Sequence, residues 1–265
     1  MSLKKFENKN ILITGASSGI GEAIAYQLAE AKANLFLAGR DFERLSNVKN
    51  KCDSIYGTAK IFTFDFSDMA SIDNFVADIT SKNITFDYII LNAGISQRAR
   101  TLETDFSVDR KIMETNFFGP VYLTKKLSGM LLSQKKTHIA ITSSISGLFG
   151  FPLRSAYCAS KHALFGFFES LELENDNIKV TFLIPGRINT PISKSAILSD
   201  GSIYSKMDSG QSEGMDVEKC AQIALRAIAK EKHRKLIGGK ELLMVYIKKY
   251  VPSLFYKLAR KISAT

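Results

Sequence analysis

The chain has 265 residues, of which 45% are hydrophobic and 23% charged, an ordinary globular balance that excludes a disordered or fibrous class. Its net charge of +10 lies wholly in the C-terminal part, because residues 219–265 carry 12 Lys and Arg against 2 acidic residues, whereas residues 1–218 carry 24 of each. A polyanionic partner could therefore meet only that segment, and no nucleic-acid partner is predicted.

The cysteines and the N-terminus bear on the compartment. Cys52, Cys158 and Cys220 are odd in number and lack metal-ligand spacing, so we expect buried thiols in a reducing compartment and no metal site. Residues 1–9 are short and polar and lead straight into a strand, which leaves no room for a signal peptide or an anchor helix. These features predict a cytoplasmic protein.

Strand-like and helix-like segments alternate along the chain. The predicted strands are 10–14, 34–38, 61–64, 88–91, 138–142, 180–184 and 235–239, and the longer predicted helices are 106–133, 155–174 and 217–230. Such alternation indicates right-handed crossovers and a parallel sheet covered on both faces. We therefore expect a Rossmann-type α/β fold, a doubly wound parallel sheet of about seven strands. It forms one domain over residues 1–241, which residues 242–265 extend.

The first strand is followed by a glycine turn and then by a helical pattern. Gly15, Gly19 and Gly21 have the spacing Gly-x3-Gly-x-Gly. Glycines at this place let the backbone approach a pyrophosphate, whose charge is met by the N-terminus of the helix. The strand-turn-helix context favours dinucleotide binding over a simple tight turn.

The second strand ends in Gly39-Arg40, without the acidic residue that would accept the ribose 2'-hydroxyl of NAD. An arginine can pair with the 2'-phosphate of NADP, so NADP(H) is preferred over NAD(H). Asp41, the next residue, argues against this assignment, and a solvated surface arginine is the alternative interpretation.

Polar residues follow the other strands, where ligands bind in open parallel sheets. Asp65 follows the third strand, residues 92–94 follow the fourth, and residues 143–144 close the fifth. Asn116 lies inside a helical stretch with no evident capping role. In isolation, each has an ordinary explanation as a cap, a turn residue or a half-exposed amide.

Tyr157 and Lys161 lie four residues apart at the head of a helical run, so both side chains can point into one site. A nearby cation favours the phenolate and lowers the pKa of a tyrosine from its ordinary value near 10. The pair thus has the chemistry of a tyrosine acid/base.

Together these residues resemble the short-chain dehydrogenase/reductase family, in its short single-domain branch. The matching motifs, in the family's order and spacing over about residues 9–240, are 14–21, 92–94, Asn116, Ser144, Tyr157 with Lys161, and Pro185-Gly186-x-Ile188-x-Thr190. Within the family, segments 92–98, 108–113 and 243–255 look like the dehydrogenase/reductases near the 11-beta-hydroxysteroid dehydrogenases.

The resemblance implies an oxidoreductase that interconverts an alcohol and a carbonyl group by hydride transfer. Tyr157 would exchange a proton with the substrate oxygen, Lys161 would lower the pKa of that phenol and hold the nicotinamide ribose, and Ser144 would hydrogen-bond the developing alkoxide. Asn116 would hold a water linking Lys161 to solvent. The implied cofactor-binding residues are Gly15, Ser17, Ser18, Gly19, Ile20, Gly21, Arg40, Asp65, Asn92, Ala93, Gly94, Tyr157, Lys161, Pro185, Gly186, Ile188 and Thr190.

The substrate pocket is expected from segments 96–104, 148–154 and 191–214, and the last of these is either a mobile lid or a surface loop. Residues 148–153 are largely apolar, which predicts a small hydrophobic substrate. Arg98, Arg100 and Arg154 could bind an acidic substrate group, but solvated rim arginines are the preferred interpretation.

Residues 242–262 form a basic amphipathic pattern that is interrupted at Pro252. Docking on the body or on a second subunit is favoured, and weak contact with an anionic membrane surface is the alternative. The partners expected are a small-molecule substrate and further copies in a homodimer or homotetramer. The rival functions are an NADP(H)-sensing regulatory protein and a membrane-associated reductase of lipid-like substrates.

Overall fold

The computed structural model describes residues 3–56 and 58–261. In this part of the chain the strands are β1 (Asn10–Thr14), β2 (Asn34–Gly39), β3 (Ala59–Thr63), β4 (Tyr88–Leu91), β5 (Thr137–Thr142), β6 (Ile178–Pro185) and β7 (Arg234–Ile237). The α-helices are α1 (Gly19–Glu30), α2 (Phe42–Tyr56), α3 (Met69–Ser81), α4 (Phe106–Met113), α5 (Gly119–Lys126), α6 (Ser128–Ser133), α7 (Ser155–Glu174), α8 (Ser209–Ser212), α9 (Val217–Ala229), α10 (Leu243–Tyr250) and α11 (Pro252–Ala259).

The strands form one parallel sheet in the order β3-β2-β1-β4-β5-β6-β7. Ile13 of β1 is in register with Leu37 of β2 on one side and with Ile90 of β4 on the other. The strand order therefore reverses at β1, and a crevice opens there at the carboxyl ends of the strands. The predicted doubly wound parallel sheet is confirmed.

Each face of the sheet is covered by its own apolar core, because successive strand residues point to opposite faces. In β1, Ile11 and Ile13 contribute to the core beneath α1, α2 and α9, whereas Leu12 contributes to the core beneath α3, α5 and α7. The three cysteines are free and buried, as predicted. This packing fixes the strand ends from which the site is built.

The predicted helix 106–133 is interrupted in the structure. After α4 the backbone forms a π turn at Glu114–Phe118, then α5, and α6 begins only after Leu127. Where the π turn meets α5, a side chain on Gly119 would overlap the backbone oxygen of Phe66, so this position requires glycine. The π turn contains the buried Asn116.

Residues 191–214, here called the substrate loop, are packed onto the body. Ile197 pairs with Gln97 on one side and Ile203 on the other, and both Ala196 and Ile197 are buried. The loop is thus a covered structural element over the crevice, rather than the plain surface loop that composition alone allowed.

The C-terminal helices pack with one side against the body. Phe255 and Ala259 of α11 are buried together with Phe149, whereas Tyr246 and Tyr250 of α10 are exposed. The helical run is interrupted between α10 and α11, where α11 begins at Pro252, as predicted. Residues 262–265 of the predicted segment lie outside the described residues. Over residues 3–56 and 58–261, none of the helices is both long and apolar enough to cross a membrane.

Candidate active site

The turn between β1 and α1 is built for a close backbone approach. Gly15 has φ +65°, in the left-handed region that glycine adopts readily, and a Cβ there would lie 2.7 Å from Cα of Ala93. Gly19 also has a positive φ, and a Cβ would lie 3.2 Å from Cγ2 of Thr190. The backbone N–H groups at the start of α1 therefore face the crevice, where they can bind an anion.

The crevice has a volume of about 890 Å³, which suits a dinucleotide. The predicted residues that line it are Gly15, Ser17, Ser18, Gly19, Ile20, Arg40, Asp65, Asn92, Ala93, Gly94, Ser144, Tyr157, Lys161, Pro185, Gly186, Ile188 and Thr190. Gly21 lies beneath the turn, where a side chain would overlap the oxygen of Gly15. These glycine positions form a cradle that added Cβ atoms would fill, so the residues present fit a nicotinamide dinucleotide.

Thr14 connects the glycine turn to the end of β4. Its hydroxyl oxygen accepts hydrogen bonds from the N–H groups of Asn92 (3.0 Å) and Ala93 (3.2 Å), and the amide of Asn92 donates to the oxygen of Gly15 (3.3 Å). The predicted site residues did not include Thr14, although its place as the last residue of the strand was a signal.

Two ion pairs occupy the end of β2. Arg40 contacts Asp65 at 3.4 Å and keeps 57% of its side chain exposed, while Arg44 pairs with Asp41, also at 3.4 Å. Burial raises the pKa of Asp65, but hydrogen bonds from Ser67 and the charge of Arg40 outweigh burial, and the pKa lies below its usual value. Asp41, the acidic residue that argued against NADP, is thus engaged by Arg44. Both Arg40 and Arg44 line the crevice.

Tyr157 and Lys161 lie in the first turns of α7, at the floor of the crevice, and both are buried. The Lys161 Nζ donates to the backbone oxygen of Thr142 at 2.9 Å and lies 5.8 Å from the centre of the Tyr157 ring. Burial lowers the pKa of Lys161 to about 8. Burial also raises the pKa of Tyr157, against the opposing influences of Arg154, a hydrogen bond with Ser144, and Arg98.

The two serines after β5 point in different directions. The Ser143 hydroxyl donates to the backbone oxygen of Lys161 at 3.1 Å, behind the site. The Ser144 hydroxyl accepts from the N–H of Ser146 at 3.1 Å, donates to the backbone oxygen of Pro185 at 3.4 Å, and lies near enough to Tyr157 to act against the rise in the pKa of the phenol. The structure therefore brings Ser144, and not Ser143, together with the phenol.

Asn116 is buried, unlike the half-exposed amide expected of it in isolation. Its side chain accepts from the N–H of Ile95 (2.8 Å) and donates to the oxygen of Ile95 (2.9 Å) and to Ser160 (3.0 Å). A Cβ on Gly94 would lie 3.1 Å from Asn116 Oδ1 and 3.3 Å from Lys161 Nζ, so the two polar groups meet at the space that this glycine leaves open. One acceptor lone pair of the amide remains for a further donor.

The prediction of solvated rim arginines is wrong for two of the three. The side chains of Arg98 and Arg154 are only 1% and 19% exposed and both pair with Asp208 of the substrate loop, whereas Arg100 is exposed as expected. The predicted set did not include Asp208, because its partners are 54 and 110 positions away in the chain and no local pattern marks the contact.

A second cavity of about 320 Å³ opens beside Ser144. Its walls come from the segment after β5, from the substrate loop and from the start of the C-terminal helices. The apolar lining residues are Ile145, Phe149, Phe151 and Met244, and the charged ones are Arg154, Arg187, Asp208 and Glu241. Of the predicted pocket segments, 148–154 and the substrate loop contribute to this lining.

The fold and its crevice define an α/β protein with a dinucleotide-binding crevice, and comparison with known proteins gives its family. The short chain dehydrogenase family model matches residues 9–200. Dehydrogenase/reductase SDR family member 7B of Xenopus laevis is 38% identical over 258 residues, which cover 94% of this chain and 80% of that protein. The chain belongs to the short-chain dehydrogenase/reductase family, as predicted.

Solved structures show the same fold. A short-chain dehydrogenase/reductase from Burkholderia phymatum in complex with NAD superposes with a TM-score of 0.82 at 20% identity, covering 94% of this chain and 95% of that one. An alcohol dehydrogenase from the archaeon Thermococcus sibiricus, complexed with 5-hydroxy-NADP, gives 0.75 at 23% identity, covering 88% and 97%. Its membership of the family, rather than these structures alone, makes the protein a nicotinamide-dependent dehydrogenase/reductase acting on alcohol or carbonyl groups.

Proposed function

We propose that the protein is an NADP(H)-dependent oxidoreductase that interconverts an alcohol and a carbonyl group of a small hydrophobic substrate, with Tyr157 as the acid/base. The observation that carries this proposal is the convergence of Tyr157, Lys161 and Ser144 at the floor of the crevice. All three side chains are buried. Burying a lysine ammonium costs free energy, and buried ionisable groups of this kind concentrate at functional sites.

The roles follow from position. When bound, the nicotinamide cofactor supplies or accepts the hydride. Tyr157 gives its proton to the carbonyl oxygen in reduction and takes it back in oxidation, while Ser144 donates a hydrogen bond to the oxygen as its negative charge develops. Lys161 holds the nicotinamide ribose, and Asn116 holds a water beside it through its remaining lone pair. The other crevice-lining residues hold the dinucleotide.

The preference for NADP(H) rests on Arg40 and Arg44, which line the crevice where the ribose of the adenosine would lie. The neighbouring acids are already engaged, because Asp65 pairs with Arg40 and Asp41 with Arg44. We expect NADPH to be used better than NADH, and Arg40→Gln to reduce that preference roughly ten-fold through loss of a charge-assisted contact. Steady-state kinetics with both cofactors would refute the assignment if the wild type prefers NADH, and Arg100→Gln serves as the exposed-arginine control.

The test of the reaction is Tyr157→Phe. We expect it to reduce turnover of a carbonyl and alcohol panel, followed at the NADPH absorbance, by about a thousand-fold, while NADPH still binds. Turnover that survives the substitution would refute the role of Tyr157. A wild type that binds NADPH but turns over no compound would support the rival proposal of an NADP(H)-sensing regulatory protein.

A second candidate is a reductase of lipid-like substrates at a membrane surface. The C-terminal helices leave apolar side chains exposed, namely Leu243, Tyr246, Tyr250, Val251, Leu254 and Tyr256. Residues 242–261 also contain five basic residues and no acidic ones. Flotation with anionic and with neutral vesicles, with and without residues 242–265, would discriminate: equal behaviour of both chain lengths removes the membrane candidate and leaves docking on the body or on a second subunit of a homodimer or homotetramer.

A further inference from the structure

A buried cluster of three charged residues lies between the substrate loop and the catalytic helix. Arg98 donates through Nε to Asp208 Oδ2 at 3.1 Å and again through Nη2, while Arg154 donates through Nη2 to the same oxygen at 3.3 Å. The third nitrogen of Arg98, Nη1, donates to Ser96 Oγ (2.8 Å) and to the backbone oxygen of Gln97 (2.6 Å). Both Arg98 and Asp208 are almost completely buried.

The cluster brings two guanidiniums to a single carboxylate, so the three groups together carry an excess positive charge. Removing such charges from water costs several kcal/mol per ion, and ion pairing rarely returns more than that. Burial and, after it, the like charge of Arg98 lower the pKa of Arg154 to about 10. Because perturbed charged groups concentrate at functional sites, this cluster points to a role in the reaction.

The cluster connects the parts that the reaction needs. Arg154 is the N-cap residue of α7, and its backbone oxygen accepts from the N–H of Cys158 at 2.8 Å, so it lies within one helical turn of Tyr157, three residues before it in the chain. Three residues after Asp208, Gln211 donates to the oxygen of Ile188 at 2.7 Å. The loop therefore reaches from the catalytic helix to the segment that is proposed to meet the nicotinamide.

We propose that Arg98, Arg154 and Asp208 form a positioning cluster, which fixes the substrate loop against α7 and sets the charge beside Tyr157. The proposal rests on the proposed role of Tyr157 as the acid/base. In the closed loop, Asp208 partly offsets the two guanidiniums, and the excess positive charge favours the phenolate. The loop position and the proton affinity of the phenol are thus linked through one carboxylate.

Burial is the largest influence on the pKa of Tyr157, and the charge of Arg154 is the largest that opposes it. The phenol packs among apolar residues of three other segments, namely Ile95, Val108 with Ile112 of α4, and Ile197 of the substrate loop. The titratable and charged groups that face it or border its packing neighbours are Arg98, Arg154, Cys158, Lys161, Asp109 and Asp208. Asp109 is held at a distance by its bond to Gln97, whose own oxygen accepts from the N–H of Ala156.

The electrostatic role predicts shifts of opposite sign, which loss of structure alone would not give. In the pH profile of kcat/KM for alcohol oxidation, the limb that reports the phenolate should move to higher pH in Arg154→Gln and in Arg98→Gln, which remove a positive charge. The same limb should move to lower pH in Asp208→Asn, which leaves both guanidiniums without that carboxylate. We expect shifts on the order of half a pH unit or more, because charges a few ångströms away act at this scale. Loosening of the loop should also raise KM for the alcohol in Asp208→Asn.

Two further variants separate charge from shape. Arg154→Lys keeps the charge but not the planar fork, so its pH profile should stay near that of the wild type. Arg100→Gln removes an exposed arginine of the neighbouring segment and should change nothing. Thermal unfolding and NADPH fluorescence would establish that each variant is folded and binds cofactor.

Shifts in the same direction for Arg154→Gln and Asp208→Asn, or no shift in either, would overturn the proposal. If Asp208→Asn does not fold, the comparison of Arg154→Gln with Arg154→Lys decides, and equal profiles for those two would overturn it. An inactive Tyr157→Phe combined with unshifted cluster variants would refute the cluster alone. Residual activity of Tyr157→Phe would instead refute the acid/base role on which the cluster depends.

Discussion

At the scale of single residues, the site depends on space as much as on polar groups. Gly94 leaves open the position at which Asn116 Oδ1 and Lys161 Nζ approach each other, and a Cβ there would press on both. Lys161 is buried among few partners, with its ammonium directed at the oxygen of Thr142. Burial of this ammonium therefore lowers the free energy of unfolding, in a position where the lysine can bind a ligand.

This cost gives a prediction for the protein without cofactor. Burial lowers the pKa of Lys161 to about 8, from an ordinary value of 10.5. Between these two pH values the lysine is mostly protonated in the unfolded chain and mostly neutral in the folded one. The free energy of unfolding contributed by this group should therefore rise with pH across that window, by about 2 to 3 kcal/mol. Lys161→Met should lack the rise.

Urea unfolding of the wild type and of Lys161→Met at several pH values from 7 to 10.5 would measure the difference. The difference between the two chains removes the titration of tyrosines and other lysines, which both chains share. Parallel curves for the two proteins would show that Lys161 titrates normally. The variant should also lose turnover, since the lysine is proposed to hold the nicotinamide ribose.

The sequence allowed the site to be predicted where a motif fixes both residue type and spacing. Tyr157, Lys161 and Ser144 meet as expected because α7 and the end of β5 are local elements whose neighbours the sheet order determines. The burial of Arg98 and Arg154 could not be predicted in the same way. Exposure is a tertiary property, and Asp208 reaches both arginines only through the path of the substrate loop.

At the scale of elements, the strands and the bounds of the helical stretch 106–133 were well predicted, but the π turn and the break at Leu127 within that stretch were not. Buried strands are continuous apolar runs between turn residues, and this pattern can be recognised in the sequence alone. A π turn adds one residue to a helical turn without changing composition, so the hydrophobic period does not reveal it. Here that turn holds Asn116 in the position where it contacts Ile95 and Ser160.

The pairing of β5 with β6 includes a polar contact that should make the sheet acid-sensitive. His138 is buried and its Nε2 lies 2.8 Å from the Thr181 hydroxyl of the neighbouring strand. Burial lowers the pKa of His138 to about 4, from an ordinary value of 6.5. Between these values the unfolded chain binds more protons, so this contribution to stability is complete above pH 6.5 and is lost as the pH falls through 4.

We expect His138→Gln to flatten the acid limb of stability by about 2 to 3 kcal/mol between pH 6.5 and 4, since glutamine can bond Thr181 without titrating. Urea unfolding at pH 7, 5.5 and 4.5 would measure it, with the exposed His233→Gln as control. A limb as steep in His138→Gln as in the wild type would show that carboxylates alone govern acid unfolding.

At the scale of the whole molecule, the C-terminal helices complete a site whose chemistry lies far earlier in the chain. Glu241 and Met244 line the cavity beside Ser144, and Phe255 docks on Phe149, with ring centres 5.0 Å apart. The sequence indicated a basic amphipathic segment but not its place, because amphipathicity shows that a face is buried and not what covers it. The body lines the dinucleotide crevice, and the tail contributes to the wall of the cavity beside Ser144.

This division of roles predicts the effect of loosening the tail. Phe255→Ala removes a side chain that is 2% exposed, and such truncations cost about 3 to 5 kcal/mol in a packed site. Because the contact is confined to the end of the chain, we expect α11 to detach locally while the sheet stays folded. KM for the substrate should then rise, with an unchanged dissociation constant for NADPH, since the lining of the dinucleotide crevice ends at Gln211 in the described residues.

Limited trypsin digestion would report detachment as faster cleavage after Lys248 and Lys257, and fluorescence titration would give the NADPH affinity. Tyr250→Ala is the matched control, because Tyr250 lies on the same segment but is 69% exposed, and it should change neither cleavage nor KM. A tail that becomes sensitive to trypsin while KM stays constant would separate docking from substrate binding. Weakened NADPH binding would instead mean that the tail also supports the dinucleotide crevice, which shares Ser144, Gly186 and Gln211 with the cavity.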